Sequence, residues 1–434
     1  EMFEMVLVTD QYPMLQLQAV NTFSQLHPYF ERCGLYVASL NLLLGLNPQI
    51  VLPPVTQVEI LFQKGKLAKF LTQFDVALDA FERALSIARE INLPDRFGGL
   101  YNNIGDMLLQ TGHYVEALAS FHEAEKWARE TQHRPLLYAV WSNIANCYFY
   151  QGQFDVAQQY YEKVSQHLEG DLDSLPEILK RIAQHNQNAL GLNSIEIGRY
   201  TEAIAYFQRG LELARDLNYQ EQTGFLYLNL GVAYYFLGDF TTAHASFAQA
   251  YTIANDIQHL WLRTDVMWNQ GALASSQFLH AEAFQLLRQA LIAVEEYQLY
   301  VIKPRVLSAF GKAYLRIEQY DAAHNAFRQT LDVPKASMKH TASALYGQVL
   351  STLLKTYPVG NQNVETARMV VDELLESLPI HALGFFAMPL DSIKRYLEKA
   401  GAIFQYELSH MPMLERYRIV EALSQWFDEH PVSS

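Results

Sequence analysis

The sequence has little cysteine and no long apolar run, and each shortage excludes a class of protein. The two cysteines among 434 residues, Cys33 and Cys147, provide neither a disulfide framework nor the spacing of a metal site. We interpret both as small buried apolar residues, as expected in a reducing, cytoplasmic compartment. The sequence shows no signal peptide and no run of about 18 apolar residues, so it predicts no membrane span.

Basic residues are fewer than acidic residues in this chain. The chain has 32 Lys and Arg against 46 Asp and Glu, which gives a formal net charge of −14. Nucleic acids and anionic membrane surfaces are bound through clusters of Lys and Arg that displace counterions. We therefore expect neither as a partner of this protein.

Sequence motifs of catalysis are absent as well. The chain contains no GxxxxGK[ST], GxGxxG, HExxH, CxxC or GxSxG motif, and these are the patterns that position phosphates, metals or nucleophiles. The 14 histidines are scattered, and we interpret His280 and His324 as surface or structural residues because no carboxylate follows them at a fixed spacing. The sequence predicts a protein that is not an enzyme and needs no cofactor or metal.

An internal repeat occupies the middle of the chain, and repeats of this length are typical of solenoids. In each of seven units a small residue stands twelve positions before an alanine: Gly65 and Ala77, Gly105 and Ala117, Ala145 and Ala157, Gly191 and Ala203, Gly231 and Ala243, Gly271 and Ala283, Gly311 and Ala323. A large apolar residue follows each alanine by four: Phe81, Phe121, Tyr161, Phe207, Phe247, Leu287 and Phe327. Successive units are 40 residues apart, with 46 between the third and fourth.

This pattern predicts two antiparallel helices in each unit, with the small residues allowing close backbone approach and the large residue filling the next gap. Glycines at Gly112, Gly152, Gly198 and Gly238 mark the end of the first helix of a unit. The six additional residues fall in Leu168–Pro176, which we predict to be a loop. A single unit cannot bury its apolar face, so neighbouring units are expected to stack.

The small, aromatic and alanine positions of residues 58–335 resemble the tetratricopeptide-repeat family in a 40-residue, long-helix form. The resemblance implies an all-α fold, an α-solenoid right-handed superhelix of about seven to nine helix pairs. We expect seven repeats over residues 57–335, a degenerate helical repeat or cap over 1–56, and a degenerate repeat with capping helices over 336–434. More weakly, the array resembles the C-terminal sensor region of STAND-type signalling ATPases.

Asparagine recurs at one register of the first helices. Two residues before the small position stand Asn103, Asn143, Asn229 and Asn269, and in the fourth unit Asn188 stands one residue earlier. In the tetratricopeptide-repeat family this register faces the concave surface, and the resemblance implies that the amides clamp the backbone of an extended peptide. The alternative is that they bond within their own helix pair or to water.

Further candidates share that face or lie near it. Three and seven residues after the asparagines come Asp106, Asn146, Tyr150 and Phe236, while Tyr235 and Trp268 are expected near the same groove. This combination of polar and aromatic side chains suits a peptide with an apolar anchor. Basic residues there are few, at Lys66, Lys69, Arg305, Lys312 and Arg316, and they either contact an acidic group or form a solvated face.

Two functions follow from the resemblance. The first is a protein- or peptide-binding module that serves as the sensing or regulatory part of a larger bacterial signalling protein, with an upstream NTPase domain of the same chain as a further partner. The chain begins at Glu1 without methionine, which fits a fragment of such a protein. The alternative is a stand-alone scaffold or adaptor for the assembly of protein complexes. An enzyme on a helical-repeat scaffold is the least favoured interpretation.

Overall fold

The computed structural model of the protein describes residues 52–71, 73–168, 175–297 and 299–333, with residues 344, 347, 348 and 351. The degenerate first repeat, most of the C-terminal repeat and caps, Cys33 and most of the loop after Leu168 lie outside these residues. The division of the chain at residues 56 and 335 therefore remains a prediction.

Fourteen α-helices occupy the described residues, together with one 3₁₀ turn at Pro94–Arg96 and no strand. The helices are α1 Pro54–Phe70, α2 Phe74–Glu90, α3 Phe97–Gln110, α4 Tyr114–Glu130, α5 Arg134–Tyr150, α6 Phe154–Leu168, α7 Glu177–Glu196, α8 Tyr200–Asp216, α9 Gln220–Leu237, α10 Phe240–Asp256, α11 Leu260–Ser276, α12 His280–Glu296, α13 Lys303–Arg316 and α14 Tyr320–Leu331. They form seven pairs, repeats 1 to 7, and we call the first helix of a pair helix A and the second helix B. The predicted all-α helical-repeat fold is confirmed.

The described residues divide into two compact units. Unit 1 contains α1–α5 and residues 155–168 of α6. Unit 2 contains residues 151–154 and α7–α14. In unit 1 the helices from α1 to α5, and in unit 2 those from α7 to α14, each pack on the next along the chain, which is the arrangement expected of stacked helix pairs.

Within a repeat, the glycine of helix A lies under the aromatic ring of helix B. A Cβ atom on Gly105 would stand 2.7 Å from Cε1 of Phe121, and one on Gly231 would stand 2.4 Å from Cε1 of Phe247. Real Cβ atoms do not approach other atoms this closely. Both rings are almost completely buried. The sequence predicts a close approach of the two helix backbones at this glycine. The structure shows more specifically that the missing Cβ atom makes room for the ring.

Repeat 3 departs from this contact and shows how the fold tolerates a change. Ala145 stands where the other repeats have glycine, and the ring of its helix B belongs to Tyr161. The hydroxyl of Tyr161 donates a hydrogen bond of 2.6 Å to Oδ1 of Asn146. Burial raises the pKa of Tyr161 well above its usual value, so this hydroxyl stays protonated.

The turns between helices A and B confirm the predicted glycine caps. Gly112, Gly152, Gly198 and Gly238 all have positive φ, between 74° and 84°, where glycine is not penalised by a Cβ atom. In repeats 6 and 7 the same position is occupied by Phe278 and Glu318, at φ 62° and 60°. A bulky L-residue in this left-handed conformation is strained.

A network around Trp141 joins α4, α5 and α6 in unit 1. The indole Nε1 of Trp141 donates a hydrogen bond of 2.7 Å to Glu125, whose carboxylate also accepts one from Arg129. The ammonium of Lys163 lies 3.9 Å from the centre of the Trp141 ring, a cation–π distance. Burial alone would raise the pKa of Glu125, but the bonds from Trp141 and Arg129 outweigh it, so this pKa is lowered.

The glycine–ring contact is tested by two substitutions in the same helix, α3. Gly105→Ala is expected to destabilise the protein by about 1–3 kcal/mol, because the added methyl displaces the Phe121 ring. Gly99→Ala is the matched control, since a Cβ atom there meets nothing within 4 Å. It should stabilise α3 by up to about 1 kcal/mol through helix propensity. Urea midpoints measured by circular dichroism would contradict this assignment if both variants shifted alike.

Two substitutions in the turns between helices A and B are expected to have opposite effects on stability. Gly112→Ala, at φ 84°, should cost about 1 kcal/mol because alanine carries a Cβ atom into the left-handed region. Phe278→Gly removes that strain at the equivalent turn of repeat 6 and is expected to maintain or raise the melting temperature. A loss of stability in Phe278→Gly as large as that in Gly112→Ala would show that packing of Phe278, rather than strain, dominates its turn.

Candidate functional site

The asparagines predicted as ligands lie on one face of the A helices, and their hydrogen bonds separate them into two groups. In the first group an asparagine of one repeat bonds to an asparagine of the preceding repeat. Nδ2 of Asn143 donates to Oδ1 of Asn102 at 3.0 Å, within unit 1. Nδ2 of Asn229 donates to Oδ1 of Asn188 at 2.8 Å, within unit 2. We call these two contacts the asparagine pairs.

Both pairs share a single geometry. The donor stands two residues before the small position of its helix, and the acceptor stands three residues before that of the preceding helix A. The partners are therefore 41 residues apart in both cases. The sequence predicts Asn188 as a displaced member of the asparagine register, and the structure places it in the acceptor position. Asn102 occupies the same position in repeat 2 and was missed.

In the second group the side chain turns to its own helix. Nδ2 of Asn103 donates to the carbonyl of Gly99 at 2.8 Å, and Nδ2 of Asn269 donates to that of Asp265 at 2.7 Å. The acceptor positions of the preceding repeats hold Phe62 and Leu228, which have no oxygen to offer. The residue at the acceptor position thus determines which way the asparagine amide bonds.

The asparagine pairs leave half of their hydrogen-bonding groups unused. All four side chains are half-buried. Among the described residues, the Nδ2 groups of Asn102 and Asn188 and the Oδ1 atoms of Asn143 and Asn229 make no hydrogen bond. An amide has two N–H donors and an oxygen acceptor, so each pair presents a donor next to an acceptor, the same combination that a peptide group requires.

The remaining candidates of unit 1 have partners inside the repeat array. Asp106, which is 9% exposed, forms an ion pair with Lys69 and accepts a hydrogen bond from Gln110. Asn146 accepts from Tyr161. Tyr150 is 45% exposed and contacts the Phe149 ring. Only Tyr150 of these three resembles an exposed apolar anchor.

The thiol of Cys147 lies in the same helix as Asn146 and Tyr150 and is unsuited to nucleophilic catalysis. Its side chain is completely buried, and burial raises the pKa of Cys147 to about 12. A thiol with that pKa holds its proton at neutral pH and is not a nucleophile. The interpretation of Cys147 as a small buried apolar residue is confirmed.

In unit 2 the aromatic candidates form part of a cross-repeat network. Phe236 stacks on Tyr200 with ring centres 5.4 Å apart. The hydroxyls of Tyr235 and Ser276 are 2.8 Å apart, across repeats 5 and 6. Nε1 of Trp268 donates to the carboxylate of Asp265. Tyr235, Phe236 and Trp268 are half-buried and are held in place by neighbouring side chains. They form a rigid surface, which we call the aromatic wall.

Two arginines of α13 complete that wall. Arg305 contacts the buried carboxylate of Asp265 at 3.3 Å, and Arg316 donates to Ser275 at 2.8 Å and to Ser276 at 3.1 Å. From the sequence, these two arginines either contact an acidic group of a ligand or form a solvated face. The structure shows that both instead bridge repeats 6 and 7. Asp265 and Ser275 were missed, and their only sequence signal is a spacing of 40 or 41 residues to an arginine.

No described helix is long and apolar enough to cross a membrane. Within the same residues there is no group of three or more His, Cys, Asp or Glu side chains placed to hold a metal ion.

Comparison with known proteins gives sequence and structural matches. A tetratricopeptide-repeat profile matches residues 96–169 and 182–256, and a second one matches residues 58–91. Over 147 residues the chain is 27% identical to outer dynein arm-docking complex subunit 4 of Homo sapiens. The matched segment is 33% of this chain and 20% of that protein, so the chain spans about a fifth of the length of the curated relatives it matches.

Solved structures share the fold at low identity. The apo form of the quorum sensor NprR from B. thuringiensis has a TM-score of 0.59 and 15% identity, over 73% of this chain and 87% of NprR. A Rap protein complexed with Competence and Sporulation Factor has a TM-score of 0.56 and 12% identity, over 90% of this chain and 98% of Rap. A STAND protein with a tetratricopeptide-repeat sensor from Pyrococcus horikoshii has a TM-score of 0.50 and 14% identity, over 81% and 54%. At these identities the likeness shows the fold alone.

The helix pairs, the glycine–ring contact within them and the profile matches lead to one conclusion. Residues 58–91, 96–169 and 182–256 contain tetratricopeptide repeats, in a long-helix form whose successive units are mostly 40 residues apart.

Proposed function

We propose that this protein is a non-catalytic binding module that holds an extended segment of a protein or peptide. The segment lies on the face of the A helices that carries Asn102, Asn143, Asn188 and Asn229, which we call the asparagine face. The asparagine pairs carry the proposal. Each offers an unused donor beside an unused acceptor on a half-buried surface. A peptide backbone that meets one pair would form up to two hydrogen bonds, each contributing about 0.5–1.5 kcal/mol net.

The pairs are also fixed before a ligand arrives. Each asparagine is held by its partner across two repeats, so less side-chain entropy is lost on binding than with a free side chain. The aromatic wall of unit 2, with Phe236 stacked on Tyr200 and Trp268 held by Asp265, gives an apolar side chain of the ligand a surface to pack on. Tyr150 does the same in unit 1. These features suit an extended segment with an apolar anchor.

Within this class, we infer a sensing or regulatory role in a larger bacterial signalling protein, where ligand in the array controls an NTPase domain of the same chain. The fold shared with the quorum sensor NprR, with Rap and with the STAND protein supports this inference. A cytoplasmic location is part of the same proposal.

An assembly adaptor is the second candidate. The match to outer dynein arm-docking complex subunit 4 favours it, because the name of that protein describes the assembly of a complex. The two candidates differ in their ligand. An adaptor would hold a folded partner constitutively, whereas a sensor would bind and release a peptide.

The asparagine pairs provide a test with an internal control. Peptides would be selected from a random phage-displayed library on the wild-type chain, and their dissociation constants measured by fluorescence anisotropy. Replacing Asn102, Asn143, Asn188 and Asn229 by alanine is expected to weaken binding about tenfold or more, since roughly 1.4 kcal/mol corresponds to tenfold. The control replaces Asn103 and Asn269, whose amides bond to their own helices, and should leave affinity almost unchanged.

Circular dichroism melts of all variants would verify that the helices persist. Equal loss of affinity in the pair variant and the control would show a general role of asparagine in stability. Full affinity in the pair variant would place the binding site on another surface. Methylation of single backbone amides in the selected peptides provides a second measurement, because it removes one donor from the ligand and leaves the protein unchanged.

A further inference from the structure

In repeats 5 and 6 the end of helix A and the turn that follows it expose apolar side chains. Leu237, Phe278 and Leu279 are 50%, 45% and 50% exposed. The corresponding turns of repeats 2 and 3 read Thr-Gly-His and Gln-Gly-Gln, at residues 111–113 and 151–153. Repeat 6 therefore replaces a glycine and a polar residue by Phe278 and Leu279.

Phe278 is costly to the fold in two ways. Its backbone is held at φ 62°, where four other repeats use glycine, and nearly half of its surface is exposed to water. The one ring contact of Phe278 in the described residues is an edge-on approach to His280, with centres 6.0 Å apart. Strain retained at an exposed position points to a role in binding more than to a role in packing.

The turns of repeats 5, 6 and 7 lie next to one another within unit 2. Tyr235, Ser276 and Arg316 lie in the last turn of their respective A helices and are joined by hydrogen bonds of 2.8 and 3.1 Å. The exposed residues follow these three by one to three positions. We call the surface formed by residues 237–242, 277–282 and 317–321 the turn edge.

The turn edge is acidic, with Arg316 as a basic neighbour one residue before its third segment. Its three segments contain four carboxylates, Asp239, Glu282, Glu318 and Asp321, and no Lys or Arg. All four are exposed. The carboxylates at the start of B helices are favourable with the helix dipole, but the dipole does not account for the apolar residues between them.

We propose that the turn edge is a second binding surface, which takes a segment of another protein in which apolar side chains are flanked by Lys or Arg. Phe278 and Leu279 provide the apolar contact at the centre, and the carboxylates around them provide the complementary charge. A second copy of this chain fits less well, because it would bring the same four carboxylates into contact with each other and adds a net charge of −14. This surface is separate from the asparagine face.

The test uses the full chain and synthetic probes. The probe is a dye-labelled peptide of two leucines flanked on each side by two arginines, and its binding is measured by fluorescence anisotropy. In one matched probe serines replace the leucines, and in the other glutamates replace the arginines. We expect the arginine–leucine probe to bind, the serine probe to bind several-fold more weakly, and the glutamate probe not to bind.

The protein variants locate the site. Phe278→Gly with Leu279→Ser should weaken the arginine–leucine probe about tenfold, which is the effect of one lost hot-spot contact. Asp239→Asn with Glu318→Gln should weaken it several-fold, and asparagine preserves the cap that Asp239 gives to Thr242. Val115→Ser is the control, because Val115 is a 70% exposed apolar residue of unit 1, and it should have no effect.

Several results would overturn the proposal. These are absence of binding by the arginine–leucine probe, equal binding by the serine probe, or unchanged binding by the Phe278→Gly and Leu279→Ser variant. Sedimentation velocity gives a further result that would overturn the proposal. If the wild type self-associates and the Phe278→Gly and Leu279→Ser variant does not, the occupant of the turn edge is a second copy of this chain. The four asparagine-pair substitutions should not affect the probe, so this proposal and the proposed function can fail independently.

Discussion

The contact between a helix A glycine and the ring of its helix B determines the rest of this structure. It fixes the distance and the register of the two helices, because the ring fits only where the Cβ atom is missing and only at one position along the helix. Five of the seven repeats use phenylalanine on glycine, at Phe81, Phe121, Phe207, Phe247 and Phe327. When every pair has the same internal register, equivalent positions of successive A helices meet at a constant offset.

That constant offset is what allows polar contacts to recur between repeats. The asparagine pairs join residues 41 apart, and the Arg305–Asp265 contact joins residues 40 apart. Neither would repeat if the register drifted from one pair to the next. The binding face that we propose is therefore a consequence of apolar packing on the opposite side of the same helices. The protein needs only to place asparagine at two neighbouring registers to obtain a preformed pair.

The sequence predicted the fold well for this reason. Glycine, alanine and phenylalanine recur at fixed positions because the packing admits few alternatives there, and the turn glycines recur because φ is positive. The site was predicted less completely. Asn103 and Asn143 look equivalent in sequence, yet one bonds to its own helix and the other to Asn102. The difference depends on whether the preceding repeat offers phenylalanine or asparagine, which becomes visible only once the 41-residue offset is known.

The binding surfaces that we propose lie at positions that depart from the repeat pattern, for the same physical reason. The position under the ring admits only glycine or alanine in the seven repeats, so a binding property has to be placed elsewhere. Phe278 breaks the pattern at a turn where glycine would be less strained, and Asn188 and Asn102 stand where other repeats have apolar or small residues. One set of departures lies on the face of the A helices and the other at their C-terminal turns. The asparagine pairs belong to repeats 2 to 5 and Phe278 belongs to repeat 6, so the two proposed surfaces share no residue and each can take its own partner.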